Sequence, residues 1–371
     1  MVLTSDGDRL VSPRRVLGAA LLALLTWLPL LLLGLAAGRT GPEPAITFLG
    51  DVSAHVRFLL VVPLLVLADA VIATRTRMTM DGFLVSGLVP EGQRGLFQQM
   101  VARTVRLGGS AVVQAILAGI VALLIGASIR GQARDGVLRW FEVQSPQGTH
   151  LSVPGWWYAA ASVMLAYLFL RLIWRYALWC WLLFCTSRLD LRLVGSHPDR
   201  AGGLGFVNVG HASFSALPLA ASCMLASRVA TEVLQLGVPL RTFQLPLLFF
   251  VVLSLGVGTV PLPIFARTLA RTKRRRLIEY GKLATRYVQE FEQKWVDGGA
   301  PADEALLGSG DIQSLADIGG SFERLATMKV TPLDRHTVLA FALASIVPLL
   351  PLALTVMPLD EIVKVLLRAV V

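Results

Sequence analysis

Two arginines stand inside the longest apolar segment of the chain, residues 154–187. Arg171 and Arg175 are four residues apart, so a helix places them on one face. A charge at membrane depth is costly and usually faces the bundle interior, a water-filled cavity or a counter-ion. The spacing therefore indicates an anion site or a gate that lines a cavity. The alternative is structural: the long side chains reach the membrane surface, or they bind Asp69, the lone acid of another apolar segment.

A second charged pair, Arg228 and Glu232, lies in another apolar segment, again four residues apart. The two side chains can neutralise each other within their own helix. One interpretation is an internal ion pair that fixes helix packing, and the other is a proton or ion relay that joins the pair to Asp69. Together, Asp69, Arg171, Arg175, Arg228 and Glu232 form the candidate intramembrane polar site.

The most distinctive loop, residues 196–205, reads SHPDRAGGLG. His-Pro-Asp is a turn signal, and the glycines allow positive φ angles. His197, Asp199 and Arg200 are candidates to coordinate a ligand or to pair with neighbouring helices, and a purely structural turn is the alternative. The loop lacks the Lys-Ser/Thr of a phosphate-binding loop and the spacing of a dinucleotide fingerprint.

This loop also carries a resemblance to known proteins. Its segment His-Pro-Asp-Arg-Ala-Gly-Gly-Leu resembles one found before a span in uncharacterised bacterial multi-span inner-membrane proteins. The resemblance covers the loop and extends toward the final span. It implies a bacterial inner membrane and brings no activity with it, so no functional residue is carried over.

The sequence offers no set of catalytic residues. It contains neither the His-Glu-x-x-His pattern of zinc proteases nor the Gly-x-Ser-x-Gly elbow of hydrolases. The three cysteines, Cys180, Cys185 and Cys223, fall in apolar segments without metal-binding spacing, and the five histidines are scattered. We therefore expect no enzyme activity, no cofactor and no metal site.

The composition indicates that these residues are positioned by membrane helices. The chain is 55% hydrophobic and 16% charged, with a mean hydropathy of +0.66, whereas soluble proteins are about 25% charged. We predict an all-α integral membrane protein with about seven transmembrane helices. The predicted spans are residues 16–38, 58–73, 107–129, 154–187, 212–236, 243–265 and 338–357.

The one large hydrophilic segment lies between the sixth and seventh spans, at residues 266–335. Apolar residues at three-and-four spacing predict an amphipathic helix that continues the sixth span, followed by a second helix at 311–328. We therefore divide the chain into a six-helix membrane domain (1–265), a cytoplasmic helical insertion (266–335), and a seventh span with a short amphipathic tail (336–371).

The distribution of Lys and Arg predicts the orientation. With the N-terminus in the cytoplasm and seven alternating spans, 23 of the 34 Lys and Arg residues fall in cytoplasmic segments and 8 on the opposite side. If residues 154–187 formed a hairpin, the basic run 271–276 would face outward, so we predict one long helix. The net charge of +10 then reflects contact with anionic lipid. No nucleic-acid-reading motif accompanies it, and we expect no nucleic-acid partner.

Two functions are consistent with these features. A channel- or transporter-like protein, for which a homo-oligomer is allowed, would use the intramembrane Arg/acid cluster. The alternative is a non-catalytic membrane scaffold or sensor that docks a partner through its cytoplasmic insertion.

Overall fold

The apolar segments form helices because, in lipid, a helix satisfies its backbone N–H and C=O groups internally. The computed structural model describes residues 12–37, 48–132, 140–145, 148–301, 303–306 and 308–355. Its principal helices are α1 (Pro13–Ala37), α2 (Val52–Val85), α3 (Arg94–Gly109), α4 (Ala111–Gln132), α5 (Val153–Ser187), α6 (Val207–Leu236), α7 (Gln244–Thr259), α8 (Ala266–Phe291), α9 (Gly310–Ala326) and α10 (Arg335–Ile346). An antiparallel hairpin, β1 (Glu142–Ser145) and β2 (Gly148–Leu151), precedes α5. A nine-residue 3₁₀ segment, Val347–Thr355, follows α10. The predicted amphipathic tail after residue 358 lies outside the described residues.

Among the described residues, six helices are long and apolar enough to cross a membrane, and the bent pair α3–α4 gives up to seven. The prediction of one long helix at residues 154–187 is confirmed, because α5 is continuous over 35 residues. Its first turn is capped by the Ser152 side chain, which accepts a hydrogen bond from the Gly155 N–H.

The second span is longer than the predicted residues 58–73. Helix α2 runs from Val52 to Val85 and includes a π-helical turn, Val56–Val61. Pro63 does not break it, because it stands in the first turn of the α-helical part that begins after the π turn. Beyond residue 73, threonine hydroxyls donate to carbonyls four residues earlier, for example Thr76 to Ile72 at 2.6 Å, so the polar residues stay compatible with the helix.

The third predicted span begins later than residue 107. The chain bends by 44° between α3 and α4, and α4 begins at Ala111. The bend falls at Ser110, directly after Gly108 and Gly109. Helix α3 is amphipathic, with Phe97 buried in the core.

The sixth span continues into the insertion, as predicted: residues 240–296 form one helical path, interrupted at Pro261 and Pro263. Each proline lacks an N–H and leaves a carbonyl four residues earlier without its helical partner. The Tyr176 hydroxyl donates to the freed Val257 carbonyl. His211 Nε2 lies 2.9 Å from the neighbouring Gly258 carbonyl. Side chains of α5 and α6 therefore contact two carbonyls at the break in this span.

Contacts divide the helix ends into two groups. At the first, the hairpin end, Trp140 Nε1 donates to Asp51 at 3.0 Å and Gln235 donates to the Gly50 carbonyl at 3.4 Å. At the second, the insertion end, the Arg192 N–H donates to the Leu88 carbonyl at 2.8 Å. Helices α8 and α9 pack on each other at the insertion end.

Apolar side chains cover the outer faces of the helices. Leu123 of α4 and Leu245 of α7 are 76% and 79% exposed. The buried core is rich in phenylalanine, and its largest fully buried side chains are Phe58, Phe83, Phe97, Phe214, Phe265 and Phe341. Exposed apolar faces of this extent need a solvent other than water.

Candidate functional site

The predicted arginine pair and its predicted acid meet halfway along two neighbouring helices. Asp69 lies 17 residues into α2, and Arg171 lies 18 residues into α5. At about 1.5 Å per residue, each is roughly 26 Å from the hairpin end of its helix. The two helices start at the same end and pack together. Residues at the same distance from that end therefore come into contact.

One carboxylate serves both arginines, but not equally. Arg175 Nη1 lies 3.0 Å from Asp69 Oδ1 and donates to the Asp69 backbone carbonyl at 2.9 Å. Arg171 Nη2 lies farther away, 3.4 Å from Oδ2. The three side chains are 22–32% exposed, so the cluster is largely removed from water. With two arginines and one aspartate, it keeps a formal charge of +1.

Arg171 has hydrogen-bonding capacity left over. Its Nε is buried and makes no hydrogen bond to any described residue. A buried polar atom without a partner is costly, and in a native protein it often marks a place where a ligand, ion or water binds.

Arg171 and Arg175 face a cavity of about 370 Å³ between α2, α5 and the α3–α4 bend. Arg77 and Asp81 of α2 border it toward the insertion end and are exposed. The cavity is lined by Ile72, Ala73, Thr76, Arg77, Met80, Asp81, Val101, Thr104, Val105, Gly108, Gly109, Arg171, Arg175, Leu178, Trp179, Leu182 and Phe214. Three lining arginines against one lining aspartate make the cavity cationic.

The cavity wall is connected to the broken sixth span through His211, which sequence reasoning had left unassigned. Trp179, a lining residue, donates from Nε1 to His211 Nδ1 at 3.3 Å. His211 is fully buried and stacks on Phe341, with ring centroids 5.5 Å apart. The prolines at 261 and 263 were the available signal, because a helix broken at this point needs side-chain donors for its last carbonyls.

Arg228 and Glu232 form their predicted pair, with Nε 3.0 Å from Oε1. They lie in the last turns of α6 near the hairpin end, where Arg228 is 65% exposed. Neither is among the described residues that line the cavity. The structure therefore does not bring this pair to Asp69.

The candidate loop residues His197 and Asp199 contact each other, at 2.8 Å between Nδ1 and Oδ1. The Asp199 carboxylate also accepts from the backbone N–H groups of Ala201 (2.8 Å), Gly203 (3.1 Å) and Gly205 (2.8 Å). Burial acts to raise the pKa of Asp199, but these three N–H groups and His197 stabilise the anion and lower the pKa below its ordinary value. The carboxylate thus organises the loop around itself.

The third candidate, Arg200, is exposed and contributes its backbone. It adopts a left-handed conformation, with φ of 55°, and its carbonyl accepts from the Lys329 N–H at 2.7 Å. Nearby, Asn208 Oδ1 accepts from the Asp334 N–H (3.2 Å) and the Thr337 hydroxyl (3.1 Å). These contacts join the loop and the start of α6 to the segment between α9 and α10 and to the start of α10.

A polar cluster at the hairpin end escaped the sequence analysis. Asp51 is buried and accepts from the Ala54 N–H and from Trp140 Nε1, both at 3.0 Å. Arg57 donates to the Tyr158 hydroxyl at 2.7 Å. These contacts join residues about 90 to 100 positions apart, which the local sequence pattern does not reveal. The described residues include no group of His, Cys, Asp and Glu that could hold a metal ion.

The fold and the site together define a helical multi-pass membrane protein with a charged cluster at the middle of two helices. Comparison with models of protein families, with curated proteins and with solved structures gave no match.

Proposed function

We propose that this protein is transporter- or channel-like and that Asp69, Arg171 and Arg175 form an anion site within the membrane. The observation that carries the proposal is Arg171, which lines the 370 Å³ cavity and has only the longer contact to Asp69. Its Nε is buried and has no partner among the described residues. The planar guanidinium fork matches a carboxylate or phosphate group. Intramembrane charges that face a cavity commonly mark ion or substrate pathways.

The two arginines bind Asp69 unequally, and this difference supports the proposed role. Arg175 holds Asp69 at two atoms, so the aspartate stays neutralised when Arg171 turns to a ligand. Arg171 can then exchange its 3.4 Å contact for a better one. A cluster built only for helix packing would gain from pairing both guanidinium groups fully.

Flux through proteoliposomes tests the proposal. Chloride, inorganic phosphate and octyl phosphate are loaded at pH 7, and their release is compared for the wild type, R171Q, R175Q and the R171Q/R175Q double variant. We expect release of at least one anion above that of empty liposomes, and its loss in the double variant. R228Q is the matched control, since it removes an arginine outside the cavity. Flux that is unchanged in the double variant contradicts the proposal.

We further propose seven spans in a bacterial inner membrane, with α3–α4 as the third span and the N-terminus and insertion in the cytoplasm. The two groups of end contacts support this, because the segments expected on one side meet at one end of the structure. Reporter fusions after residues 12, 90, 240 and 300 test it. A reporter at 300 that reads as external would contradict the orientation.

A second candidate function is a scaffold or sensor that docks a partner through the insertion. It is favoured by the exposed apolar side chains of the basic helix α8, Ile278 (56%) and Leu283 (45%). Capture of partners by wild type and by an I278D/L283D variant tests it. If both chains capture the same partners in the same amounts, this candidate fails.

A further inference from the structure

We propose that the ligand of the Arg171 cavity is an amphipathic anion, with a phosphate or carboxylate head at Arg171 and an alkyl body along the cavity wall. This inference rests on the proposed anion site and adds the class of ligand. It comes from the mostly apolar wall that runs along the cavity from Arg171 toward Arg77 and Asp81.

The polar end lies about halfway along α2 and α5. Arg171 offers a buried Nε and a weakly engaged Nη2 at this end, while Arg175 is occupied by Asp69. Thr76, two turns from Asp69 on α2, already donates its hydroxyl to the Ile72 carbonyl at 2.6 Å. Arg171, whose contact with Asp69 is the longer one, is therefore the guanidinium that can turn to an anionic head.

The remaining wall is mostly apolar. Its members on α2, α3, α5 and α6 include Ile72, Val101, Val105, Leu178, Leu182 and Phe214. At 370 Å³, the cavity falls within the range of about 300–1,000 Å³ that is usual for organic ligands, whose sites are apolar with a few placed polar groups. A small inorganic ion would leave the apolar wall in contact with water. An alkyl body would cover it, and each buried CH₂ strengthens binding about fourfold.

The open side of the cavity suits such a ligand. Val105 lines it and is 63% exposed, and the exposed Arg77 and Asp81 stand toward the insertion end. Asp81 is 12 residues along α2 from Asp69, or about 18 Å. The cavity thus extends from the middle of the helices toward one end. Gly108 and Gly109 keep side chains out of the wall at the α3–α4 bend.

A photolabelling experiment in nanodiscs of zwitterionic lipid tests the proposal. An alkyl phosphate with a diazirine in its tail is cross-linked to the full chain, and the labelled peptides are mapped. We expect labels in residues 72–81, 101–109 and 171–182, displaced by octyl phosphate but not by octanol, which lacks the charge, or by inorganic phosphate, which lacks the tail. R171Q should weaken binding of the alkyl phosphate about tenfold, because it removes a charge-assisted hydrogen bond. R228Q should bind as the wild type does.

A second, independent variant keeps the test decisive if R171Q fails to fold. Val105→Trp fills the exposed side of the cavity without changing a charge, and it should abolish the labels as R171Q weakens them. Labelling that survives both variants, or that octanol displaces equally, overturns the inference. Displacement by inorganic phosphate alone also overturns the amphipathic class while leaving the proposed anion site intact. Specific labelling without flux, in contrast, removes the transport function and keeps the ligand.

The source of the ligand is resolved in the same preparation. Mass spectrometry of the purified chain, before any probe is added, shows whether a membrane lipid with an anionic head is bound. A lipid that R171Q and V105W both remove supports the inference with a bilayer source. A chain that carries no lipid but binds octyl phosphate supports it with a water-soluble source.

Discussion

Asp69 is the counter-ion that two arginines share, so its replacement by asparagine should destabilise the protein strongly. Its carboxylate lies 3.0 Å from Arg175 and 3.4 Å from Arg171. At an effective dielectric constant of about 20, each contact contributes roughly 5 kcal/mol of Coulomb attraction, and desolvation of the three charges offsets most of it. Removal of one partner from a buried pair costs about 3–5 kcal/mol. Because the side chains stay 22–32% exposed, we expect the lower figure, about 3 kcal/mol.

The assay is thermal unfolding in detergent, with D69N, R175Q and the D69N/R175Q double variant measured beside the wild type. The double variant removes one charge of each sign and leaves the cluster at the same net charge as before. It should therefore be clearly more stable than the sum of the two single losses predicts, by about 1 kcal/mol or more. A D69N protein as stable as the wild type, or a double variant that simply adds the single losses, would refute the reasoning.

Three further perturbations follow from single contacts. A Cβ at Gly258 would lie 2.5 Å from the Phe341 ring, so G258A should cost about 1–3 kcal/mol in thermal unfolding, whereas G256A, with open space around it, should be neutral or slightly stabilising. The lowered pKa of Asp199 means that its carboxylate stabilises the fold fully above the ordinary value of 3.8 and less as pH falls through the folded pKa. D199N should thus lower the melting temperature at pH 7 and match the wild type in strong acid, and a constant difference at every pH would contradict this. N208A should cost about 1–3 kcal/mol, because it leaves the Thr337 hydroxyl and the Asp334 N–H without their acceptor. N208D should cost at least as much, because it places a carboxylate oxygen against the Gly205 and Pro332 carbonyls that the Asn208 amide now serves as donor.

Periodicity alone placed the arginines correctly. The four-residue spacing of Arg171 and Arg175 predicted a shared face, and the single acid of the second span was the natural counter-ion. The continuity of α5 also followed from its unbroken apolar sequence and the charge distribution. These features depend on residues within one helix, or on a charge that lacks any other partner nearby in the sequence.

The cavity could not be predicted in the same way. It depends on the 44° bend at Ser110 and on the extension of α2 past residue 73. Polar residues such as Thr76 and Arg77 looked like the end of a span, but the threonine hydroxyl is satisfied by its own helix. The cluster of Asp51 and Trp140 depends on pairing across 89 positions, for which a single sequence carries no local signal.

The insertion is tied to the cavity wall by two separate routes. Helix α8 continues the span in which Tyr176 and His211 contact the Val257 and Gly258 carbonyls, and Tyr176 is the residue next to Arg175. The loop that follows α5 is fastened to the insertion through the Arg200 carbonyl. Gly195 of the same loop leaves room for Leu325 of α9, since a Cβ there would lie 2.5 Å from it. Deletion of the insertion would therefore disturb α5 in two ways, through the span that Tyr176 contacts and through the loop that follows α5. Loss of flux after such a deletion would not distinguish a docking surface from a support for the arginines, whereas substitutions confined to the exposed face of α8 would.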